Sequence, residues 1–357
     1  MGNGTSTALL PDPDFTCTPT DCEFVAGIRP YRTKTFRLEP QTVGSKFVVH
    51  NYGHGGAGIT MCWGCAVEVR ELVRQHTGAT PKPVAVLGAG AMGLTAATLL
   101  VESGFSVSVY ASSLQATTSH IAGGQWQPSF VECEPTAAAR QRFETILRTS
   151  FNMHRDRIGL GYGVSKRINY SKHGSGTSFD KVPHDVIPPP TPFANLPFAH
   201  LNVPGFGYHT LLVEPPIFLK KLHDDLTGAA VPLVQKEFHS AGDIGQLPEP
   251  IVVNCTGLGS KKLFGDNRMI AIKGHLVLLE AQLHLEYLYS SDRTYVFPRE
   301  DHVVVGGSFE HGVADPTVDP VVCKEILQLA KDVFAGATIL ASAPQPWMLP
   351  LPGGGYR

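Results

Sequence analysis

The stretch from Val84 to Leu100 constrains this chain more than any other part of its sequence. An apolar run, Val84–Leu87, leads into a turn with glycines at 88, 90 and 93, and a run of small and aliphatic residues follows. In a Gly-x-Gly-x-x-Gly turn the first glycine allows a tight bend, the second lets a pyrophosphate approach and the third lets helix pack on strand. We therefore predict a βα unit whose helix N-terminus binds a dinucleotide, although packing alone can also favour such a turn.

Two further segments could meet the same kind of ligand. Four glycines within six residues, at positions 53, 55, 56 and 58, precede a run from Trp63 to Val73 that has helical spacing. A hydroxyl cluster at 117–119 follows the next predicted strand, over 106–110, and hydroxyl groups can donate to phosphate oxygens. The acidic residue that usually binds the ribose at the end of this strand is absent, because residues 111–113 are Ala, Ser and Ser.

Length and composition exclude several classes of protein. The chain of 357 residues exceeds the size at which a single core stops growing, so we expect two domains. A hydrophobic content of 43% and a formal net charge of −2 indicate a globular protein that does not bind nucleic acid. The sequence contains no membrane span, signal peptide or C-terminal peroxisomal signal, which predicts a cytoplasmic protein that does not bind a membrane. Residues 1–6 match the short N-myristoylation pattern.

The cysteines and the remaining apolar patterns give further expectations. Seven cysteines are scattered along the chain, unlike the dense frameworks of secreted domains, and we expect reduced thiols. Cys62 and Cys65 have the spacing of a redox pair but fall at the start of a predicted helix, so we interpret them as packed thiols. Apolar spacing predicts helices over 136–150, 217–226 and 321–334, and short alternating strands in the last third of the chain.

Five segments together resemble the D-amino-acid oxidase family of FAD-dependent oxidoreductases. They are residues 27–32 (GIRPYR), 50–66 (HNYGHGGAGITMCWGCA), 86–94 (VLGAGAMGL), 122–128 (AGGQWQP) and 253–257 (VNCTG). In that family the Gly-x-Gly-x-x-Gly strand opens the chain, and the Arg-Pro and His-Asn-Tyr-Gly-His-Gly-Gly segments close it. Here the closing segments come first, so the chain resembles a circular permutant in which residues 77–83 join the former ends.

The resemblance implies an α/β fold with two domains. A Rossmann-like FAD-binding domain with a parallel sheet would comprise residues 40–129 and 227–262. A substrate domain of α+β type with an antiparallel sheet would comprise residues 22–39, 130–226 and 263–340. Residues 1–21 and 341–357 are expected to be loose termini, since residues 1–21 lack a periodic apolar pattern and the other end is rich in Pro and Gly.

The resemblance also implies roles for individual residues, and it implies no metal. Arg29 would bind the substrate carboxylate, Tyr208 would contact the substrate, and the carbonyl of Gly56 would accept a hydrogen bond from the substrate amine. A bidentate arginine suits a carboxylate better than lysine does. Each residue also has a structural alternative: Arg29 could belong to a solvated strand face, and Tyr208 could cap a core. The implied FAD-binding residues are Gly55, Gly56, Ala57, Gly58, Ile59, Thr60, Gly88, Ala89, Gly90, Met92, Gly93, Ser112, Thr117, Thr118, Ser119, Gly123, Gly124, Gln125, Thr256 and Gly257.

The implied activity is oxidative deamination of a D-amino acid by hydride transfer from Cα to flavin. Oxygen would be the acceptor, and the products would be a keto acid, ammonia and hydrogen peroxide. The preference for the D form comes from the family alone. No Lys or Arg lies between Pro183 and Leu219, which favours a neutral substrate side chain if this segment is a lid. A flavin oxidase or dehydrogenase of another amine or imino acid and a non-catalytic flavin-binding homologue stay open, as does a homodimer.

Overall fold

The computed structural model describes residues 9–18, 20–291 and 293–337. Its helices are α1 Gly58–Thr77, α2 Ala91–Glu102, α3 Ala137–Arg155, α4 Pro215–Gly228, α5 Ala241–Gly245, α6 Gly259–Leu263 and α7 Pro320–Phe334. Its strands are β1 Cys22–Arg32, β2 Arg37–Val43, β3 Lys46–Tyr52, β4 Val84–Leu87, β5 Val107–Ala111, β6 Val164–Ser171, β7 Thr191–Phe193, β8 Gly205–Val213, β9 Leu233–Gln235, β10 Ile251–Asn254, β11 Met269–Glu280, β12 Tyr287–Ser291, β13 Thr294–Pro298, β14 His302–Gly306 and β15 Glu310–His311. Short 3₁₀ helices cover Thr118–Ile121 and Ser178–Lys181.

A six-stranded sheet carries the opening βα unit, in the order β2-β3-β10-β4-β5-β9. All of its neighbouring strands are parallel except β2 and β3. Asn254 of β10 pairs with both His50 of β3 and Leu87 of β4, so three strands end at the same edge. All four residues of β4 are fully buried, as expected for a parallel strand covered on both faces.

Close packing of α2 on this sheet explains the third glycine of the turn. A Cβ at Gly93 would lie 1.9 Å from the carbonyl oxygen of Gly88, inside the contact distance of any non-bonded pair of heavy atoms. Only glycine therefore lets the first turn of α2 lie directly on the end of β4. The predicted strand, turn and helix over Val84 to Leu100 are confirmed.

A nine-stranded sheet forms the other half of the structure, in the order β1-β11-β14-β13-β12-β6-β8-β7, with β15 also paired to β11. Its ladders are antiparallel except for the parallel pair of β12 with β6. The amphipathic helix α7 packs on it through Ile326 and Val333, which join a core containing Tyr289 and Val303. A parallel sheet and an antiparallel sheet are thus both present, as the α/β prediction requires.

The division of the strands between the two sheets differs in one place from the domain boundaries expected from the sequence. β2 begins at Arg37, inside the segment 22–39 expected in the substrate domain, yet it pairs along its whole length with β3 of the parallel sheet. The two-domain division stays a prediction. No helix among the described residues combines the length and apolar character needed to cross a bilayer.

Residues 9–18 differ from the expectation of a loose terminus. Leu10 forms a bridge with Phe198, and the buried ring of Phe15 lies 5.5 Å from the ring of Phe334. Apolar contacts on α7 and the antiparallel sheet therefore hold a segment whose sequence shows no periodicity. Residues 1–6, with the myristoylation pattern, and the C-terminal segment 341–357 lie outside the described residues.

The cysteines require one correction. Cys17 and Cys22 form a disulfide bond, so the expectation of seven reduced thiols is wrong for this pair. The two cysteines are five residues apart, so the bond closes a short loop that joins the start of β1 to the N-terminal segment. The sequence pattern did not indicate this bond. Cys62 and Cys65 are fully buried free thiols in α1, which confirms their interpretation as packed side chains.

Candidate active site

A cavity of about 620 Å³ opens at the edge where β3, β4 and β10 end. The parallel sheet contributes Gly88 and Asn51 to its wall, and the antiparallel sheet contributes Arg29, Gly274 and Tyr295. Ligands of open α/β sheets bind outside the carboxyl ends of the strands, which is the position of this cavity. Its volume lies within the usual range for ligand pockets, about 300–1,000 Å³.

The first wall is the turn between β4 and α2. A Cβ at Gly90 would lie 3.1 Å from the hydroxyl of Ser119, so the turn and the hydroxyl cluster enclose a narrow part of the cavity. The Ser119 hydroxyl accepts a hydrogen bond from the backbone N–H of Ala91 at 3.1 Å. Thr118 donates to the carbonyl of Ile28 at 3.0 Å, which ties the cluster to β1. The fold thus places the hydroxyl cluster beside the glycine turn, as the sequence predicted.

The second wall is the glycine-rich turn before α1. Gly55 has a φ of 55°, and a Cβ there would lie 1.8 Å from the carbonyl oxygen of Phe130. This close approach lets the loop around Phe130 cover the turn. No side chain caps the N-terminus of α1, which begins at Gly58 beside the cavity. The backbone N–H groups of that first turn are therefore available to a polar ligand group.

Arg29 and Tyr295 lie on the part of the wall that the antiparallel sheet contributes. Arg29 is half-buried on β1, and its Nη1 donates to the carbonyl oxygen of Ser308 at 3.3 Å. Its guanidinium carbon lies 5.3 Å from the centre of the Phe130 ring. Among the described residues, no carboxylate oxygen lies within 4.0 Å of it. A half-buried cation of this kind can bind an anion that enters from solvent.

Tyr295 on β13 lies beside Arg29 on the cavity wall. Burial raises the pKa of Tyr295, and the neighbouring Arg29 opposes that shift. The phenol is therefore protonated at neutral pH and can donate its hydrogen. With Arg29 it forms a cluster of donors, which suits a carboxylate.

The wall also fits FAD. Asn51 Oδ1 and Gln125 Nε2 are buried polar atoms without a hydrogen-bond partner among the described residues, and both residues line the cavity. Such atoms cost free energy unless a ligand or water satisfies them. Two glycine turns and an uncapped helix supply the phosphate-binding groups at the same edge. The residues present therefore match a dinucleotide in shape and in chemistry.

Most of the predicted site residues lie together on this cavity. Gly93 and Ala57 are in the layer behind it, under the turn and at the start of α1. The predicted residues on the wall are Arg29, Gly55, Gly56, Gly58, Ile59, Thr60, Gly88, Ala89, Gly90, Met92, Ser112, Thr117, Thr118, Ser119, Gly123, Gly124, Gln125, Thr256 and Gly257.

The structure does not bring Tyr208 to this cavity. Its side chain is buried, its hydroxyl donates to the carbonyl of His173 at 3.0 Å, and its ring stacks on Phe179 at 4.5 Å. These contacts are those of a core residue, the alternative that the sequence left open. The strand position of a tyrosine does not reveal which face of the sheet it takes until the pairing is known.

Sequence reasoning missed several residues of the wall. Tyr295 and Phe297 alternate on β13 and face the cavity together, whereas Phe130 reaches it from a loop. Lys236 and Glu237 follow β9, the strand next to β5, and lie at the same edge as Ser112. One signal could have found the last two, because parallel strands end at one edge and the apolar run over 231–234 predicts a strand just before them.

Comparisons with known proteins find similarity to FAD-dependent oxidoreductases. The family model for FAD dependent oxidoreductases matches residues 207–352. The D-amino-acid oxidase of Streptomyces coelicolor is 27% identical over 267 residues, which cover 72% of this chain and 80% of that protein. The D-amino-acid oxidase of Rubrobacter xylanophilus is 28% identical over 257 residues, or 68% of this chain and 74% of that protein. The D-aspartate oxidase of Homo sapiens is 26% identical over 255 residues, which cover 68% of this chain and 73% of that protein.

Solved structures show a more distant likeness. The glycine oxidase from Bacillus cereus superposes with a TM-score of 0.49 at 17% identity, covering 71% of this chain and 79% of that one. The iminodiacetate oxidase from Chelativorans has the same TM-score and coverage at 13% identity. The matched family model and the curated relatives together show that this chain contains an FAD dependent oxidoreductase domain and is similar to D-amino-acid oxidases over more than two thirds of its length.

Proposed function

We propose that this protein oxidises the Cα–N bond of a D-amino acid with a neutral side chain, with oxygen as the electron acceptor. The products after hydrolysis are a keto acid, ammonia and hydrogen peroxide. The observation that carries the proposal is Arg29, a half-buried guanidinium in the cavity with no carboxylate within 4.0 Å among the described residues. The D form is proposed because the relatives from Streptomyces coelicolor and Rubrobacter xylanophilus are D-amino-acid oxidases.

Arg29 and Tyr295 bind the substrate carboxylate in this proposal. The guanidinium offers parallel N–H donors, and the Tyr295 hydroxyl adds a third hydrogen bond from β13. The carbonyl oxygen of Ser308 and the ring of Phe130 contact the guanidinium and orient it. A carboxylate held by three donors cannot rotate freely, so the Cα–H bond keeps one direction in the cavity.

The FAD-binding residues are assigned by the wall on which they lie. The Gly88–Gly90 turn, with Ser119 beside it, would hold the pyrophosphate, and Ser112 would face the ribose. The turn from Gly55 to Thr60 would meet the flavin end. The bound flavin supplies the acceptor of the two electrons, and the protein contributes binding, orientation and the exclusion of water.

The described wall offers no convincing side-chain base near Arg29. His54 is buried in the turn, and burial lowers its pKa to about 3, so its ring is neutral and packs on Phe36. Lys236 and Glu237 also line the cavity, but they follow β9, the edge strand of the parallel sheet, and not β1, which carries Arg29. We therefore propose that the substrate reacts with a neutral amine, which donates a hydrogen bond to the carbonyl of Gly56 on the cavity wall.

The apolar part of the wall supports a neutral side chain. The rings of Phe130 and Phe297 lie on the cavity, and the Phe309 ring packs 5.7 Å from that of Phe130. An acidic side chain placed among these rings would lose its hydration without gaining a cation, which costs free energy. Small aliphatic and cyclic amino acids fit this surface best.

Substitution of Arg29 tests the proposal directly. Arg29→Leu removes the carboxylate partner, and we expect kcat/KM to fall by about 30- to 4,000-fold, the equivalent of about 2–5 kcal/mol for a desolvated charge pair. Arg29→Lys keeps the charge but not the bidentate geometry and should recover only part of the loss. The assay measures peroxide release from D-alanine and D-proline, with the L forms as controls.

The flavin spectrum serves as the control for folding. Arg29→Leu should retain the bound flavin, because Arg29 lies on the antiparallel sheet and belongs to neither of the two glycine turns. Unchanged kinetics in Arg29→Leu would contradict the carboxylate role. A wild-type protein that binds flavin but releases no peroxide with any amino acid or amine would favour the dehydrogenase or non-catalytic alternatives instead.

A further inference from the structure

A β-bulge lies directly behind Arg29. The ladder of β11 with β14 ends where Leu276 of β11 lies opposite Gly306 of β14. The ladder of β11 with β15 begins where Lys273 of β11 lies opposite Glu310 of β15. The register shifts by one residue between these two ladders, so residues 307–309 oppose a shorter segment of β11. We call residues 307–309 the bulge. Bulges interrupt the ladder and redirect backbone groups, and they are common beside active sites.

The bulge determines the surroundings of Arg29. The carbonyl oxygen of Ser308 accepts the hydrogen bond from Arg29 Nη1. The ring of Phe309 packs against Phe130, whose own ring lies next to the guanidinium. A shift of the bulge would therefore move two of the contacts that orient Arg29.

His275 holds the bulge by two separate contacts. Its backbone N–H donates to the hydroxyl of Ser308 at 2.7 Å, since the bulge removes the ordinary carbonyl partner from the ladder. Its ring Nδ1 lies 3.1 Å from Oε1 of Glu310, the first residue after the bulge. His275 is fully buried and Ser308 nearly so. The Glu310 side chain is 21% exposed.

The protonation state of His275 follows from its third contact. The backbone N–H of Asp319, the N-cap of α7, donates to Nε2 of His275 at 3.0 Å, so Nε2 carries no hydrogen. A neutral ring therefore carries its hydrogen on Nδ1, which faces Glu310. Nδ1 and Glu310 Oε1 lie 3.1 Å apart without the alignment of a hydrogen bond, and neither atom has a hydrogen-bond partner among the described residues. The approach of these two atoms is therefore the side-chain contact between His275 and the residue after the bulge.

We propose that His275, acting with Glu310, is a positioning residue that holds the bulge so that Ser308 and Phe309 fix Arg29 for carboxylate binding. The inference rests on the proposed role of Arg29. His275 and Glu310 are not among the residues that line the cavity. Their effect reaches the substrate through the backbone of the bulge.

The pair makes carboxylate binding depend on pH. Burial raises the pKa of Glu310 and lowers the pKa of His275. An ionised Glu310 attracts the Nδ1–H of the neutral ring, and this attraction weakens when the carboxylate takes up a proton as the pH falls. The hold on the bulge is therefore tightest above the raised pKa of Glu310 and weakens as the pH falls through it. Other titratable groups on the packed elements are Lys273 and Arg29 on the strands, His311 beside Glu310, Asp315, and Asp319 and Cys323 at the start of α7.

Glu310→Gln tests this inference, because it keeps the shape of the side chain and removes its charge. The probe is propanoate, a carboxylate without an amine, and its Kd is measured from the change in the flavin spectrum of the holoenzyme between about pH 5.5 and 8.5. We expect the wild-type Kd to rise as the pH falls. Glu310→Gln should bind more weakly at high pH, by up to about tenfold, and its Kd should not change with pH. The two curves should meet at low pH.

Two further variants complete the experiment. His275→Gln can still accept from the Asp319 N–H but lacks the Nδ1 donor, and we expect weaker propanoate binding at all pH values and a larger change in KM than in kcat. Glu280→Gln, on an exposed residue at the end of β11, is the matched control and should follow the wild type. Parallel or superposed curves for Glu310→Gln and the wild type would overturn the inference.

Arg29→Leu in the same assay separates this inference from the proposed function. Loss of propanoate binding in Arg29→Leu, with wild-type behaviour in Glu310→Gln, would reject the positioning role alone. Unchanged propanoate binding in Arg29→Leu would reject the carboxylate site itself.

Discussion

Replacing Gly93 by alanine tests the central turn of the FAD site. A methyl group at this position would lie 1.9 Å from the carbonyl oxygen of Gly88 and 2.8 Å from its carbonyl carbon. Ordinary contact begins at 3.4 Å, so α2 and the turn would have to separate by about 1.5 Å. Both of these atoms belong to the backbone and cannot move away by a change of rotamer.

The expected magnitude follows from two opposing effects. Overpacking of a core costs about 1–3 kcal/mol, whereas alanine in place of glycine inside a helix gains up to about 1 kcal/mol. The net loss should lower the Tm of the FAD-free protein by a few degrees. The displaced N–H groups of α2 should also weaken FAD binding by about 10- to 150-fold, the loss of one hydrogen bond to a charged oxygen.

The assay combines thermal unfolding of the FAD-free protein with titration of FAD by its fluorescence. Gly228→Ala is the matched control, because this glycine ends helix α4 and a Cβ there would contact nothing within 4 Å. It should leave FAD affinity unchanged and raise the Tm slightly. If Gly93→Ala matched Gly228→Ala in both Tm and FAD affinity, the packing role of the third glycine would be refuted.

Two other predictions concern stability. Asp266 accepts hydrogen bonds from Arg32 at 2.7 Å and from Tyr52 at 2.8 Å in a buried cluster, so Asp266→Ala should cost about 3–5 kcal/mol in denaturant unfolding. The exposed pair of Lys220 and Asp224 is the control, and Asp224→Ala should cost less than about 1 kcal/mol; equal costs would contradict the buried role of Asp266. Burial lowers the pKa of His50 and His54 to about 3 and of His154 to about 4, so each neutral ring stabilises the fold above its unfolded pKa of about 6.5. That stability is lost as the pH falls from about 6.5 towards these values, and at about pH 5 the loss is about 2 kcal/mol for each ring. Unfolding free energy that stays constant between about pH 7 and 5 would show that these rings are not buried as neutral groups.

The sequence predicted the local parts of the site well. The turn at Gly88 and Gly90 and the hydroxyl of Ser119 depend on short-range geometry, in which the residue types themselves determine the backbone. These groups do meet at one cavity. The turn at Gly55 was found for the same reason, since a dense run of glycines before a helix is typical of a backbone that another group approaches closely.

The substrate end depended on long-range pairing, and there the sequence was less informative. Tyr208 and Tyr295 both lie on strands of the antiparallel sheet, but only Tyr295 faces the cavity. A shift of one residue in register reverses the face of every side chain on a strand, and no local pattern determines that register. Arg29 was found only through the resemblance, because a single arginine on a strand is more often structural.

The N-terminal segment shows a second limit of local patterns. Phe15 is buried against Phe334, and Cys17 bonds to Cys22, although residues 9–18 show neither helical nor alternating spacing. Irregular segments are held by isolated anchors, which leave no periodic signal. The circular permutation likewise stays a prediction, since it concerns the order of segments rather than their contacts.

Anaerobic reduction of the purified holoenzyme tests the proposed function most directly. The visible absorbance of the bound flavin is followed after mixing with D-alanine or L-alanine in the absence of oxygen. We predict that D-alanine bleaches the flavin, that L-alanine does not, and that Arg29→Leu keeps its flavin oxidised in both cases. Flavin that stays oxidised with every amino acid and amine tested, or that L-alanine bleaches as fast as D-alanine, would contradict the proposed oxidation of a D-amino acid.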